Sequence, residues 1–198
     1  MRNIVIVNRE HLIENSYFDD LKLVDCKSVL GEELKVEEET YKAYLKLKKF
    51  LESKNIYIGI CSAWRSIREQ QKIMDEYIEK YGIDYTNKYV APVGASEHHT
   101  GLAIDLGIYE SKDEYVDNDD LFRHEKQFLT IHPYLKYFGF ILRYPIGKEN
   151  ITGYDYEPWH IRYVGKRMAF KITNSGLTLE EFALLYNNGV QCKRLVKK

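Results

Sequence analysis

Of the six histidines in the chain, His98, His99 and His160 lie in segments that also hold carboxylates and small or aromatic neighbours. His98 stands seven residues before Asp105, and Glu157 three residues before His160. Two imidazoles and one carboxylate, from His98, His160 and Asp105, make the donor set of a tetrahedral zinc site with one position left for water. Zinc lowers the pKa of such a water toward ~7, which makes it able to attack a carbonyl. Glu157, outside the ligand set, reads as the base that takes the water's proton and delivers it to a leaving amine. The attack creates an oxyanion, and Arg65 is the best candidate for the cation that stabilises it. Spacing alone leaves a plainer reading open. A Glu three residues before a His arises by chance in a Glu-rich chain, and a strand Asp often bonds only to backbone.

These residues need elements to hold them. Ile4 to Val7 is a short β-branched run that reads as a strand, followed by irregular chain to about Leu34. Apolar residues at Val36, Ala43, Tyr44, Leu47, Phe50 and Leu51 recur at helical spacing and predict an amphipathic helix to about Lys54. Ile56 to Ile60 reads as a strand, and Ser66-Ile67-Arg68-Glu69 as a capping box opening a helix to about Tyr81, so that Arg65 sits at a strand-to-helix junction. Ile83 to Glu97 reads as a loop. From Gly101 to Ile108 the alternation predicts a strand with Leu102, Ile104 and Leu106 in a core and Ala103, Asp105 and Gly107 on the opposite, open face. Leu121 to Phe138 looks helical with a break near Pro133, Phe140 to Tyr144 and Trp159 to Val164 read as strands, and Thr178-Leu179-Glu180-Glu181 caps a helix to about Tyr186. Strands clustered in the centre with helices before and after suggest one α+β domain over residues 1–198, its central, mainly antiparallel sheet carrying helices on one side.

Composition limits the alternatives. The 198 residues are 44% hydrophobic, enough for a real core, and 29 Lys and Arg against 30 Asp and Glu leave a net charge of −1, so no basic excess points to nucleic acid. No run approaches the ~18–20 apolar residues of a membrane span, and Ile4 to Val7 is too short for a signal peptide. Three widely separated cysteines, Cys26, Cys61 and Cys192, with no Cys-x-x-Cys spacing, read as reduced thiols. The expectation is a cytoplasmic protein.

Other motifs have plainer readings. His124-Glu125-Lys126-Gln127-Phe128 opens like a zinc-protease helix but has Phe where the second His is needed, which leaves a helix face. Asp117-Asn118-Asp119-Asp120 lacks the turn glycine of a calcium loop. Cys61 reads as core rather than nucleophile, and the Lys193 to Lys198 tail as a solvated terminus. No serine has Lys three residues later, which excludes a Ser-x-x-Lys nucleophile. Alternation leaves Trp159 either as a cleft wall or as core on the face opposite His160.

Three blocks carry a resemblance: Ser62-Ala63-Trp64-Arg65-Ser66 with Gln70; Ser96-Glu97-His98-His99-Thr100-Gly101-Leu102-Ala103-Ile104-Asp105; and Glu157-Pro158-Trp159-His160-Ile161-Arg162-Tyr163. Together they resemble the signature blocks of the VanY and VanXY zinc D,D-peptidases, and the middle block fits the family's Ser-x-His-x-x-Gly-x-Ala-x-Asp pattern at each fixed position. The likeness extends through Phe138 to Pro145 and the Leu177 to Tyr186 segment. Ala63-Trp64 departs from the commoner Gly-Tyr, and His99 stands where Gln is common; neither removes a ligand.

The resemblance implies a hedgehog/D-Ala-D-Ala peptidase-like fold with a zinc cleft on the sheet face opposite the helices. It implies one zinc ion per chain on His98, Asp105 and His160, Glu157 as base and Arg65 on the scissile carbonyl. Gln70 and Ser96 become substrate contacts; Trp159, from its place beside His160 and not from the resemblance, is the third candidate. The implied substrates are peptidoglycan precursor peptides ending in D-Ala-D-Ala, and in a related branch the free dipeptide. An L,D-carboxypeptidase or wall endopeptidase on the same site, and a non-catalytic zinc-holding binding domain, are the alternatives.

Overall fold

The computed structural model describes residues 2–112, 114–115 and 124–186. The Asp117 to Asp120 stretch, the Leu121 to Arg123 start of the expected helix, Cys192 and the basic tail lie outside them. After a 3-10 turn at Arg2–Ile4 the N-terminal segment joins no sheet, so the expected first strand is corrected. The carbonyls of Asn3 and Val5 instead accept hydrogen bonds from the Arg162 guanidinium, and Ile4 and Ile6 pack on a small core.

The next correction is an antiparallel hairpin where irregular chain was expected. Strand β1 (Leu23–Lys27) pairs with β2 (Glu33–Glu37), setting Val24 opposite Val36 and Cys26 opposite Leu34. Helix α1 (Glu38–Glu52) follows at once, its N-terminus capped by the Glu37 side chain, which accepts from the Thr40 amide at 2.8 Å.

Strand β3 (Tyr57–Ser62) leads through Arg65 into α2 (Ile67–Tyr81), whose Ser66/Glu69 capping box forms as the sequence predicts. The expected loop after it contains a short helix, α3 (Ile83–Tyr89), entered through Gly82. Strand β4 (Ala103–Ser111) carries the short β5 (Glu114–Tyr115) on one side. Helix α4 (Glu125–Leu135) runs through Pro133 without the expected break and tightens only afterwards into a 3-10 turn at Lys136–Phe138. The Phe128 side chain is fully buried, in accord with an ordinary helix face. Strand β6 (Phe140–Leu142), the short α5 (Glu149–Thr152), β7 (His160–Tyr163) and an unforeseen helix α6 (Lys166–Ser175) follow. A last helix, α7, covers 179–186, and its Thr178/Glu181 capping bonds are made at 2.8 and 3.2 Å.

The main sheet has the order β3-β4-β7-β6, with β5 paired to β4, and every pairing is antiparallel. Helices α1 and α4 cover one face, packing Tyr44, Leu47, Leu51, Phe128 and Ile131 against Ile58, Ile60, Ile104, Leu106 and Ile161. Asp105 and His160 are register partners on β4 and β7, and Ala103 pairs with Arg162. Farther along that second face, at the β6 end, Ile141 joins Val164, Met168, Ile172 and Leu179, so α6 and α7 bury the edge of the face that carries the polar residues. No helix among the described residues is long and apolar enough to cross a membrane.

Candidate metal centre

The centre is built from a buried polar turn and two strand residues. Glu97–Thr100 forms a 3-10 turn whose four polar side chains are all buried, and each has a partner. The Thr100 hydroxyl donates to the Glu97 carbonyl at 2.6 Å and accepts from the Leu102 amide at 3.0 Å, which closes the turn before β4. His98 Nδ1 lies 2.6 Å from the Ala63 carbonyl, so that nitrogen carries the proton and Nε2 is left to face Asp105 at 3.1 Å. His160 approaches from β7 with Nδ1 3.0 Å from the other Asp105 oxygen. One donor atom from each of His98, Asp105 and His160 lies within 4.8 Å of the others.

The donor chemistry fits a divalent cation of the zinc type. Two imidazoles and a buried carboxylate converge on one point, each imidazole turning a ring nitrogen to a different Asp105 oxygen at 3.0–3.1 Å. Asp105 is held well below the usual carboxylate range: burial opposes ionisation, and His98 and His160 overcome it. Burial and the charge of Arg65 push His98 down to about 4, so its imidazole is neutral at physiological pH, the form that could bind a metal ion. Burial would also lower His160, but the hydrogen bond and charge of Asp105, with Glu97 and Glu157, carry it up to about 9. The Tyr144 ring backs it, with centroids 4.7 Å apart.

Glu157 precedes β7 by a short turn, closed by the His160 amide donating to its carbonyl, and its carboxylate lies 3.4 Å from His160 Nδ1. Burial raises its carboxyl to about 7, helped by Asp105 and opposed by His160 and Arg65. A carboxyl poised there can hold or release a proton near neutrality.

Arg65 is fixed at its junction from both sides. Its amide donates to the His98 carbonyl at 3.2 Å, and its own carbonyl accepts from His99 Nδ1 at 2.8 Å. His99 Nε2 in turn accepts from the Gly94 amide at 3.2 Å, so the histidine braces the junction against the preceding loop. The guanidinium donates to Ser62 Oγ and Gln70 Oε1, and Nη2 lies 3.6 Å from Asp105 Oδ2.

The expected substrate contacts separate here. Gln70 is fully buried, its oxygen accepting from Arg65 and its nitrogen donating to the Ala91 carbonyl at 2.8 Å, so it braces the arginine from within. Ser96 is buried ahead of the turn and its side chain makes no capping bond. Trp159 packs on the α1/α4 core, on the face opposite His160; as a cleft wall it is corrected. Cys61 is corrected too. It sits in the bulge between Ile60 and Ser62, lies against Gly107 on the site face, and its Sγ is 3.2 Å from the Tyr115 hydroxyl.

One group escaped the sequence reading. Glu97, fully buried, accepts from Arg143 Nε at 2.7 Å and Arg162 Nη1 at 2.5 Å, and its second oxygen faces His160 Nε2 at 3.6 Å. The available signal was the pair Arg143 and Arg162, each alternating with apolar residues in a strand that must be buried.

Known proteins resemble the chain over most of its length. The family model for VanY, D-alanyl-D-alanine carboxypeptidase, matches residues 33–166. A relative from Enterococcus gallinarum, the bifunctional D-Ala-D-Ala dipeptidase and D-Ala-D-Ala carboxypeptidase VanXYC, is 40% identical over 129 residues, covering 63% of this chain and 65% of that protein. The chain thus spans just under two thirds of that relative's length. Among solved structures, a vancomycin resistance D,D-pentapeptidase VanY in complex with Zn(II) has a TM-score of 0.76 at 30% identity, covering 92% of this chain and 99% of that one. The LdcB LD-carboxypeptidase has a TM-score of 0.77 at 32% identity, covering 91% and 86%.

Proposed function

Since the chain belongs to the VanY family of D-alanyl-D-alanine carboxypeptidases, we propose that it is a zinc peptidase that removes the terminal D-Ala from peptidoglycan precursor peptides ending in D-Ala-D-Ala and also splits the free dipeptide. The observation that carries this reading is the convergence of His98, Asp105 and His160 with Glu157 and Arg65 around one point on an otherwise packed sheet face.

His98 Nε2, Asp105 and His160 Nδ1 would hold one zinc ion. When bound, zinc supplies Lewis acidity toward the scissile carbonyl and toward water. Glu157 takes a proton from the attacking water and returns it to the departing D-alanine nitrogen, so that one water is consumed as the C–N bond breaks. Arg65, aimed by Ser62 and Gln70, donates to the carbonyl oxygen as negative charge gathers there. Its preset geometry spares the cost of reorganising at the moment of reaction.

The likeness to an LD-carboxypeptidase over 91% of this chain supports a second reading, in which the same groups cut an L,D bond. Paired variants test the shared chemistry. Glu157→Ala retains zinc and loses turnover, whereas His160→Ala loses zinc. Near-normal turnover in the first, or normal zinc content in the second, contradicts the assigned roles.

A further inference from the structure

Behind His160, on the side away from Asp105, lies a charge cluster that the peptidase chemistry does not use. Glu97, Arg143 and Arg162 have fully buried side chains. Removing such ions from water costs several kcal/mol each, roughly, and is recovered only when geometry and hydrogen bonding are good. One Glu97 oxygen is taken by both arginines. The other has no hydrogen-bond partner among the described residues, and neither has His160 Nε2, which it faces at 3.6 Å. These are the two orphaned atoms of the cluster, and they point at each other.

The cluster also reaches both ends of the described chain. Arg143 pairs with both oxygens of Glu180 on α7, and Arg162 donates to the Val5 carbonyl at 2.8 Å. Glu180 and Val5 both lie outside the 33–166 span that matches the family. The flanking segments therefore close over the back of a site whose front is built by the matched region.

We propose that Glu97 is a positioning residue for the metal centre: clamped by Arg143 and Arg162, its carboxylate holds the Nε2–H of His160 from behind, and so directs Nδ1 toward Asp105 and His98. An imidazole has two nitrogens, and which one binds is set by the hydrogen bond the other makes. His98 obeys the same rule with the opposite tautomer, through the Ala63 carbonyl. The inference rests on the zinc reading of the site.

The test uses zinc alone, by chelator competition, together with the nitrogen NMR spectrum of histidine-labelled, zinc-loaded protein. The wild-type spectrum is expected to show His160 bound through Nδ1 with Nε2 protonated, and His98 the reverse. Glu97→Gln weakens the partner, and Glu97→Asp keeps its charge for the arginines but draws it back from the ring. Each is expected to lower zinc affinity by about 10- to 100-fold with the circular dichroism spectrum unchanged. Wild-type affinity in folded Glu97→Asp, or His160 bound through Nε2 in the wild type, overturns the inference. If the variants do not fold, the wild-type spectrum still decides. A His160→Ala control separates the two readings: if it binds zinc as the wild type does, the zinc site itself is wrong, whereas loss of zinc there alone condemns only the role of Glu97.

Discussion

At Glu157 burial lifts the carboxyl from 4.5 to about 7, and that shift is a statement about stability as well as chemistry. Below pH 4.5 the group is protonated in folded and unfolded chains alike and contributes nothing. As pH rises from 4.5 to about 7 the unfolded chain ionises while the folded one resists, so the fold loses up to about 1.4 kcal/mol per unit of separation. In chelator-stripped protein, Glu157→Gln should gain Tm over the wild type across that window and hold a constant advantage above it. A gap that does not change with pH would contradict the assignment. Arg65→Met should lower kcat by roughly 10²–10³, the usual effect of losing one oxyanion donor, with zinc content unchanged by metal analysis. The proposed ligand and base positions, His98, Asp105, His160 and Glu157, could be picked out of the sequence because they lie in short blocks with fixed spacing. Gln70 and Glu97 were harder, because a buried polar side chain gains its meaning from partners far away in sequence, here Ala91 for one and Arg143 and Arg162 for the other.

At the scale of elements, the sheet presents a polar face only because something small clears it. Gly59 and Gly107 are register partners on β3 and β4. A Cβ on Gly59 would meet Val29 Cγ1 at 2.2 Å, and one on Gly107 would meet Cys61 Sγ at 2.7 Å and the Tyr115 ring at 2.8 Å. Val29, in the turn of the β1/β2 hairpin, is bonded through its amide to the Ile60 carbonyl at 2.8 Å, so the hairpin turn rests on the pair of glycines. Gly59→Ala should therefore cost about 1–3 kcal/mol by overpacking, read as a lowered denaturant midpoint. An unchanged midpoint would mean that the hairpin does not rest there. The strands β3, β4 and β7 were visible as apolar alternation, and the capping boxes fixed the starts of α2 and α7. The β1/β2 hairpin was missed because its outward positions are charged, although Val24, Cys26, Leu34 and Val36 alternate cleanly. The N-terminal run Ile4 to Val7 failed for the opposite reason: it has strand composition, but Arg162 claims the Val5 carbonyl within it and the Asn3 carbonyl just before it.

At the scale of the whole molecule, two cores share one sheet, and the charged cluster of Glu97, Arg143, Arg162 and Glu180 joins them behind the candidate metal centre. Sequence pattern could indicate the α+β class and the helix-covered face, but not that α6 and α7 return to the polar face, because that docking depends on Ile141 and Arg143 meeting residues some thirty to forty positions later. Arg143→Met should destabilise by about 3–5 kcal/mol, since it strands Glu97 and Glu180 with part of their charge unpaired, and a fall in Tm together with α7 protection from hydrogen exchange checks it. Wild-type stability in that variant would show the cluster to be dispensable. The central claim, that these elements hold a zinc peptidase acting on D,D bonds, is met most directly by assaying free D-alanine. Zinc-loaded protein is offered free D-Ala-D-Ala, a pentapeptide ending in D-Ala-D-Ala, and a tetrapeptide whose terminal D-Ala follows an L-centre. Release from the first two and not from the third is the predicted result; release from the tetrapeptide alone, or none from any with zinc bound, contradicts it.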